Sequence, residues 1–138
     1  LKGIDESEDE NVSIKDIRYY YPNEGSNDIV IEGSKFLNHK GDVNVFGISL
    51  NKMGIYNIEV TMKSEQGPLA QLPLSIYYDN VLKHMITVRG TNGKWITEVR
   101  ELGFVFGTNH YIKLYFGASG LKIDRIVIRF VEDGKIPF

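Results

Sequence analysis

Gly54-Ile55-Tyr56-Asn57-Ile58-Glu59-Val60-Thr61-Met62-Lys63 is the stretch that decides the fold class. Tyr56, Ile58, Val60 and Met62 fall on one parity, and Asn57, Glu59, Thr61 and Lys63 fall on the other. Side chains of a β-strand point alternately to its two faces, so this segment is a strand with one apolar and one wet face. The pattern repeats on either side. Leu72, Leu74, Ile76 and Tyr78 alternate with Pro73, Ser75, Tyr77 and Asp79, and Ile112, Leu114 and Phe116 alternate with Tyr111, Lys113 and Tyr115. Asp79-Asn80 separates two apolar runs, 72–78 and 81–88. Both residues tolerate positive φ, which predicts a two-residue hairpin. Gly90-Thr91-Asn92-Gly93 and Gly117-Ala118-Ser119-Gly120 read as loop tips, and Gly67-Pro68 breaks a longer loop. The apolar period is two, and no useful amphipathic helix is visible. About nine strands at short spacing predict an all-β fold, a two-sheet antiparallel β-sandwich of the jelly-roll type.

The last strand is less regular. Leu121 and Ile123 share one parity, whereas Ile126, Ile128 and Phe130 share the other. A bulge near Asp124-Arg125 accounts for the switch, and it reads more readily as a sheet corner than as part of a site.

The chain has 138 residues, which fits one domain over 1–138. Hydrophobic residues make up 42% and charged residues 25%, an ordinary globular composition. With 16 basic and 18 acidic residues there is no positive excess to answer a row of phosphates, which argues against a nucleic-acid partner. There is no cysteine, so disulfides, thiolate metal sites and a cysteine nucleophile are excluded. No apolar run approaches the length of a membrane-spanning helix. The head, Leu1 to Asn11, is polar and acidic and is not a signal peptide. A start without Met is expected of a mature protein or an excised module, and both fit a secreted or cell-surface location.

Little in the chain points to catalysis. His39, His84 and His110 are scattered and form no H-x-x-x-H or H-E-x-x-H pattern. There is no G-x-S-x-G elbow, and no Gly-rich loop opens a helix. Carboxylate pairs can be drawn at will from 18 acids, so they carry no signal for glycoside hydrolysis. Calcium is better supported. Glu6 and Glu8 share one side of an extended segment, and Asp124 closes an oxygen-rich site if the first and last strands are neighbours. The alternative is a plain acidic terminus.

Aromatic residues are the other resource: one Trp, eight Tyr and seven Phe. An exposed aromatic plane offers a platform to the apolar face of a sugar ring, with polar groups nearby for its hydroxyls. Trp95 follows Gly93-Lys94 at a loop-to-strand junction, where it reads equally as such a platform or as a core residue of the next strand. Phe36, in the loop from Gly33 to Gly41, reads first as a loop anchor. Tyr77, Tyr111 and Tyr115 fall on the polar parity of their strands.

Taken in order, these segments resemble the family 6 and family 35 carbohydrate-binding modules over about residues 4–130. Glu6-Ser7-Glu8-Asp9 is similar to the opening Glu-Ala-Glu motif of those modules. Gly41-Asp42-Val43-Asn44-Val45-Phe46 and Gly54-Ile55-Tyr56-Asn57-Ile58 are similar to two of their strands. Leu74-Ser75-Ile76-Tyr77-Tyr78-Asp79-Asn80 resembles the strand that ends in a short turn. Thr91-Asn92-Gly93-Lys94-Trp95 resembles their Thr-Gly-Gly-Trp loop, Gly107-Thr108-Asn109-His110-Tyr111-Ile112 their Gly-x-Asn-x-(aliphatic) strand, and Ile123-Asp124-Arg125-Ile126 their closing Ile-Asp-x-Ile.

The resemblance implies a jelly roll with a structural calcium, to which Glu6, Glu8 and Asp124 contribute. It also implies a sugar site in the loops at one edge of the sandwich, with Trp95 and Phe36 as the two aromatics and polar help from Lys122 and the Ser119 loop. These modules often carry Asn where this chain has Lys122, a departure that fits either an acidic sugar or a lost site. Some bind along a concave sheet face, where Tyr77 lies. The expected function is a non-catalytic module that targets a secreted glycan-active enzyme to a polysaccharide or oligosaccharide, tethered to a catalytic domain. The alternatives are a non-binding structural or protein-interaction sandwich accessory to a glycoside hydrolase, and a small enzyme on the same fold.

Overall fold

A computed structural model describes residues 17–133, and Glu6 and Glu8 lie outside them. Nine strands follow one another: β1 (Tyr19–Tyr20), β2 (Ile29–Glu32), β3 (Val43–Ser49), β4 (Gly54–Lys63), β5 (Gln71–Tyr78), β6 (Val81–Arg89), β7 (Ile96–Val105), β8 (Asn109–Phe116) and β9 (Lys122–Asp133). A 3₁₀ turn, Gly33–Lys35, follows β2. The strands form a five-stranded sheet ordered β1-β3-β8-β5-β6 and a four-stranded sheet ordered β2-β9-β4-β7. All pairings are antiparallel except the two-residue β1, which runs parallel to β3. Among the described residues no helix is long and apolar enough to cross a membrane.

The predicted parities build the core. Tyr56, Ile58, Val60 and Met62 of β4 are buried, with Ile29 and Ile31 of β2 and Ile126 and Ile128 of β9 beside them. Leu74 and Ile76 of β5, Ile112, Leu114 and Phe116 of β8, and Phe46 and Ile48 of β3 complete the core cluster from the other sheet. Each fully buried aliphatic side chain of this kind stabilises the fold by about 1.5–3 kcal/mol.

The predicted hairpin joins β5 to β6 through Asp79 (φ 48°) and Asn80 (φ 67°), the paired left-handed conformation of a tight hairpin turn. Asp79 also fastens the turn to β8. One carboxylate oxygen accepts from the Tyr111 backbone N–H at 2.8 Å, and the other accepts from His110 Nδ1 at 2.7 Å. The Tyr78 ring stacks on His110 at 5.3 Å between centroids. Burial, reinforced by the Asp79 charge, pushes the Tyr78 phenol well above its ordinary range.

The predicted bulge is also present. Thr61 of β4 pairs with Arg125 of β9, but Met62 pairs with Ile123, which leaves Asp124 unpaired. It is more than a sheet corner, because it turns Asp124 into a cleft at the end of the sandwich.

Candidate functional site

A cleft of about 390 Å³ opens at the loop edge, where β2 ends and β7 and β9 begin. Glu32, Gly33, Ser34, Phe36 and Asn38 form one wall, Trp95 forms another, and Lys122, Ile123 and Asp124 form the floor side from β9.

Gly33 allows the first wall to approach. A Cβ there would lie 1.9 Å from the Ile123 carbonyl oxygen, so only glycine lets the 3₁₀ turn rest on the backbone of β9. The turn closes with the Phe36 N–H donating to the Gly33 carbonyl at 3.1 Å. Phe36 then packs edge-on against core Phe46 at 5.7 Å. It is therefore a loop anchor and a cleft wall at once. The Asn44 side chain clamps the next residue, accepting from the Leu37 N–H at 2.9 Å and donating to the Leu37 carbonyl at 2.7 Å. Asn38 donates to the Leu121 carbonyl at 2.9 Å, which ties this loop to the start of β9.

Trp95 stands on an equally fixed support. Lys94 N–H donates to the Thr91 carbonyl at 3.0 Å, across Asn92 (φ 54°) and Gly93 (φ 80°). The neighbouring loop locks this turn in place. Gly93 N–H donates to the Ser64 carbonyl at 2.8 Å, and Thr91 Oγ1 accepts from the Ser64 N–H at 2.9 Å. The indole that follows is 45% exposed, so Trp95 is not a core residue of β7. Lys63 Nζ lies 4.8 Å from its ring centroid, a cation–π contact that covers part of the indole.

The charges are also arranged. Lys63 of β4 and Lys122 of β9 are register partners. Arg125 Nη1 donates to Asp124 Oδ2 at 3.2 Å, and Glu32 is the register partner of Arg125 on β2. Lys63 has Glu65 at 3.6 Å.

The structure thus brings Phe36, Trp95, Lys122 and Asp124 into one cleft. Ser119 is not in its lining. Its hydroxyl accepts from the Lys40 N–H at 2.9 Å and fastens two loops together. Tyr77 is in a different place, on the outer face of the five-stranded sheet, with Lys113 Nζ 4.5 Å from its ring centroid. Of the three residues expected to bind calcium, only Asp124 lies within the described residues. Among these no group of three His, Cys, Asp or Glu side chains is placed to hold a metal. Sequence reasoning missed Asn38, Glu32 and Lys63. The last was visible only as the final polar-parity residue of β4.

No family profile matches the chain. A β-glucosidase of Ruminococcus albus is 31% identical over 87 residues, which is 63% of this chain and 9% of that protein. The solved C-terminal family 6 carbohydrate-binding module of a marine laminarinase from Zobellia galactanivorans aligns with a TM-score of 0.61 at 20% identity, covering 75% of this chain and 99% of that module. The chain has the fold of a carbohydrate-binding module. Solved modules of families 35 and 36 share it. A β-glucosidase from Paenibacillus barengoltzii contains the same fold, with a TM-score of 0.61 at 16% identity over 81% of this chain and 11% of that one. The chain spans about a tenth of each of these two β-glucosidases.

Proposed function

We propose that the chain is a non-catalytic carbohydrate-binding module of a secreted glycan-active enzyme. A sugar ring lies against the open part of Trp95, with Phe36 as the facing apolar wall. Asn38, Lys122 and the carboxylates of Glu32 and Asp124 meet its hydroxyls. The observation that carries this reading is a half-exposed indole, held on a locked turn, beside a second aromatic and several polar groups in one cleft. Rigid aromatic platforms ringed by a few convergent polar groups are how such clefts gain affinity for amphipathic rings. The fold shared with known modules, and the β-glucosidases in which like segments occur, support tethering to a catalytic domain. A structural calcium on Glu6, Glu8 and Asp124 belongs to the same proposal.

The test is calorimetry and affinity electrophoresis of the isolated chain on a panel of soluble polysaccharides, with reducing-end release measured in parallel. Saturable binding without turnover supports the reading. Turnover, or no binding to any glycan, overturns it.

One observation favours a second reading, a structural domain that packs on its enzyme. Phe104 and Phe106 are exposed and lie 6.2 Å apart. An apolar pair of this kind on the surface is a sign of an interdomain contact.

A further inference from the structure

We propose that the chain docks on a neighbouring domain of its own polypeptide through an apolar patch of Met53, Ile55, Phe104 and Phe106, at the end of the sandwich remote from the cleft. The inference rests on the tethering in the reading above and not on what the cleft binds.

A bulge builds the patch. Tyr56 of β4 pairs with Gly103 of β7, but Asn57 pairs with Glu101, which leaves Leu102 unpaired. Before the bulge, Thr97, Val99 and Glu101 are exposed; after it, Val105 lies in the core while Phe104 and Phe106 are exposed. Without the extra residue, simple alternation would turn the two phenylalanines inwards and Val105 outwards. Gly103 makes the switch at φ 91°, a conformation that suits glycine. Phe104 stands opposite the half-buried Ile55, and the next pair in that register is Met53 and Phe106. Glu101, Glu132 and the Lys52–Asp133 ion pair border the patch. An apolar surface with a polar rim marks a contact site.

The size of the patch decides its occupant. Phe104 is 38% exposed, Phe106 64% and Met53 42%. At roughly 200 Å² for a full side chain of this size, the three present roughly 300 Å². A stable complex of free molecules buries roughly 800 Å² on each partner. Two copies of this chain meeting here fall well short. A domain on the same polypeptide needs far less, since a short linker keeps it at an effective concentration on the order of millimolar. Such a domain has room in the relatives, because about nine-tenths of each β-glucosidase lies outside the segment that matches this chain. The position agrees. β4 runs from the patch at Gly54 to Lys63, whose register partner Lys122 lines the cleft. A strand of 10 residues puts roughly 30 Å between the two. Docking at one end therefore leaves the cleft open at the other.

The experiment is hydroxyl-radical footprinting, read by mass spectrometry, on the isolated chain and on its full-length polypeptide. Met53, Phe104 and Phe106 should be labelled at least about threefold more slowly in the full-length protein, because an interdomain contact closes them to solvent. Met85, exposed on β6 of the other sheet, and Trp95 should be labelled at the same rate in both. Phe104→Ser/Phe106→Ser should return Met53 labelling in the full-length protein to the rate of the isolated chain. A thermal melt of the isolated double variant checks that it folds, and Phe106→Ser alone takes its place if it does not. Equal labelling of Met53 in the two proteins overturns the docking and leaves the tethering standing, as does protection that survives the substitutions. Equal protection of Met85 or Trp95 overturns it by placing the contact elsewhere. Sedimentation of the isolated chain tests the other occupant: a dimer that the double variant dissolves overturns the inference in favour of a second copy. A native polypeptide with no further domain overturns the inference and the tethering together.

Discussion

Trp95→Ala removes the platform on which the proposed function depends. A tryptophan of roughly 250 Å² that is 45% exposed presents about 110 Å² to a ligand. The Lys63 ammonium covers part of one face, so a sugar ring would take the rest. At about 25 cal/mol per Å², covering between half and nearly all of that surface is worth about 1.5–2.5 kcal/mol. That converts to an affinity roughly ten- to sixtyfold weaker in the variant. The fold should hardly notice, because the locked turn is built from backbone and Thr91 contacts that the substitution leaves in place. Loss of the cation–π contact with Lys63 should cost about 0.5–1 kcal/mol. Calorimetry with the best soluble glycan for the wild-type chain measures the first effect, and urea denaturation measures the second. Unchanged affinity would refute the stacking argument. A variant that loses several kcal/mol of stability would refute it differently, by making Trp95 a packing residue.

Three further outcomes are expected. Gly33→Ala should destabilise the chain by about 1–3 kcal/mol in urea denaturation and weaken glycan binding, because the new methyl group collides with the Ile123 carbonyl and lifts the Phe36 wall. Tyr78→Phe should change stability by less than about 1 kcal/mol at neutral pH, since the phenol oxygen is buried without a partner among the described residues. Because the folded chain holds the Tyr78 proton above the ordinary value of 10.0, the stability it lends is complete below that pH and declines as pH rises through the raised value. Alkaline denaturation should therefore be shallower in Tyr78→Phe, and identical alkaline profiles would count against that assignment. If Glu6, Glu8 and Asp124 hold calcium, millimolar calcium should raise the Tm and chelation lower it. Asp124→Asn should abolish the difference, and a Tm indifferent to calcium would leave the acidic head without that role.

The sandwich was legible because alternation is a local property. β4 begins and ends where the parity of residues 54–63 does, and Asp79-Asn80 makes the turn that its residue types favour. The two-residue β1 carries no period, so its parallel pairing could not be read. The site was legible only in part. The parity switch in β9 located the bulge at Asp124, but what lies against a bulge depends on the loop that Gly33 admits, nearly a hundred residues earlier in the chain. Trp95 could be exposed or buried by period alone. The geometry of the 91–94 turn decided it. Tyr77 was placed correctly on a polar face, yet parity does not say which end or sheet a face belongs to. Lys63 became part of the site only through the order β7-β4-β9, which sets it between Trp95 and Lys122.

The central claim is that glycan enters at the loop edge beside Trp95. Heteronuclear NMR titration of the chain with its best soluble glycan tests this most directly. The account predicts saturable shifts at the Trp95 indole N–H, the Asn38 side-chain amide and the backbone of Lys122 and Asp124, with Tyr77, Tyr111 and Tyr115 unmoved. Shifts confined to those tyrosines on the five-stranded sheet, with the Trp95 indole unperturbed, would contradict it.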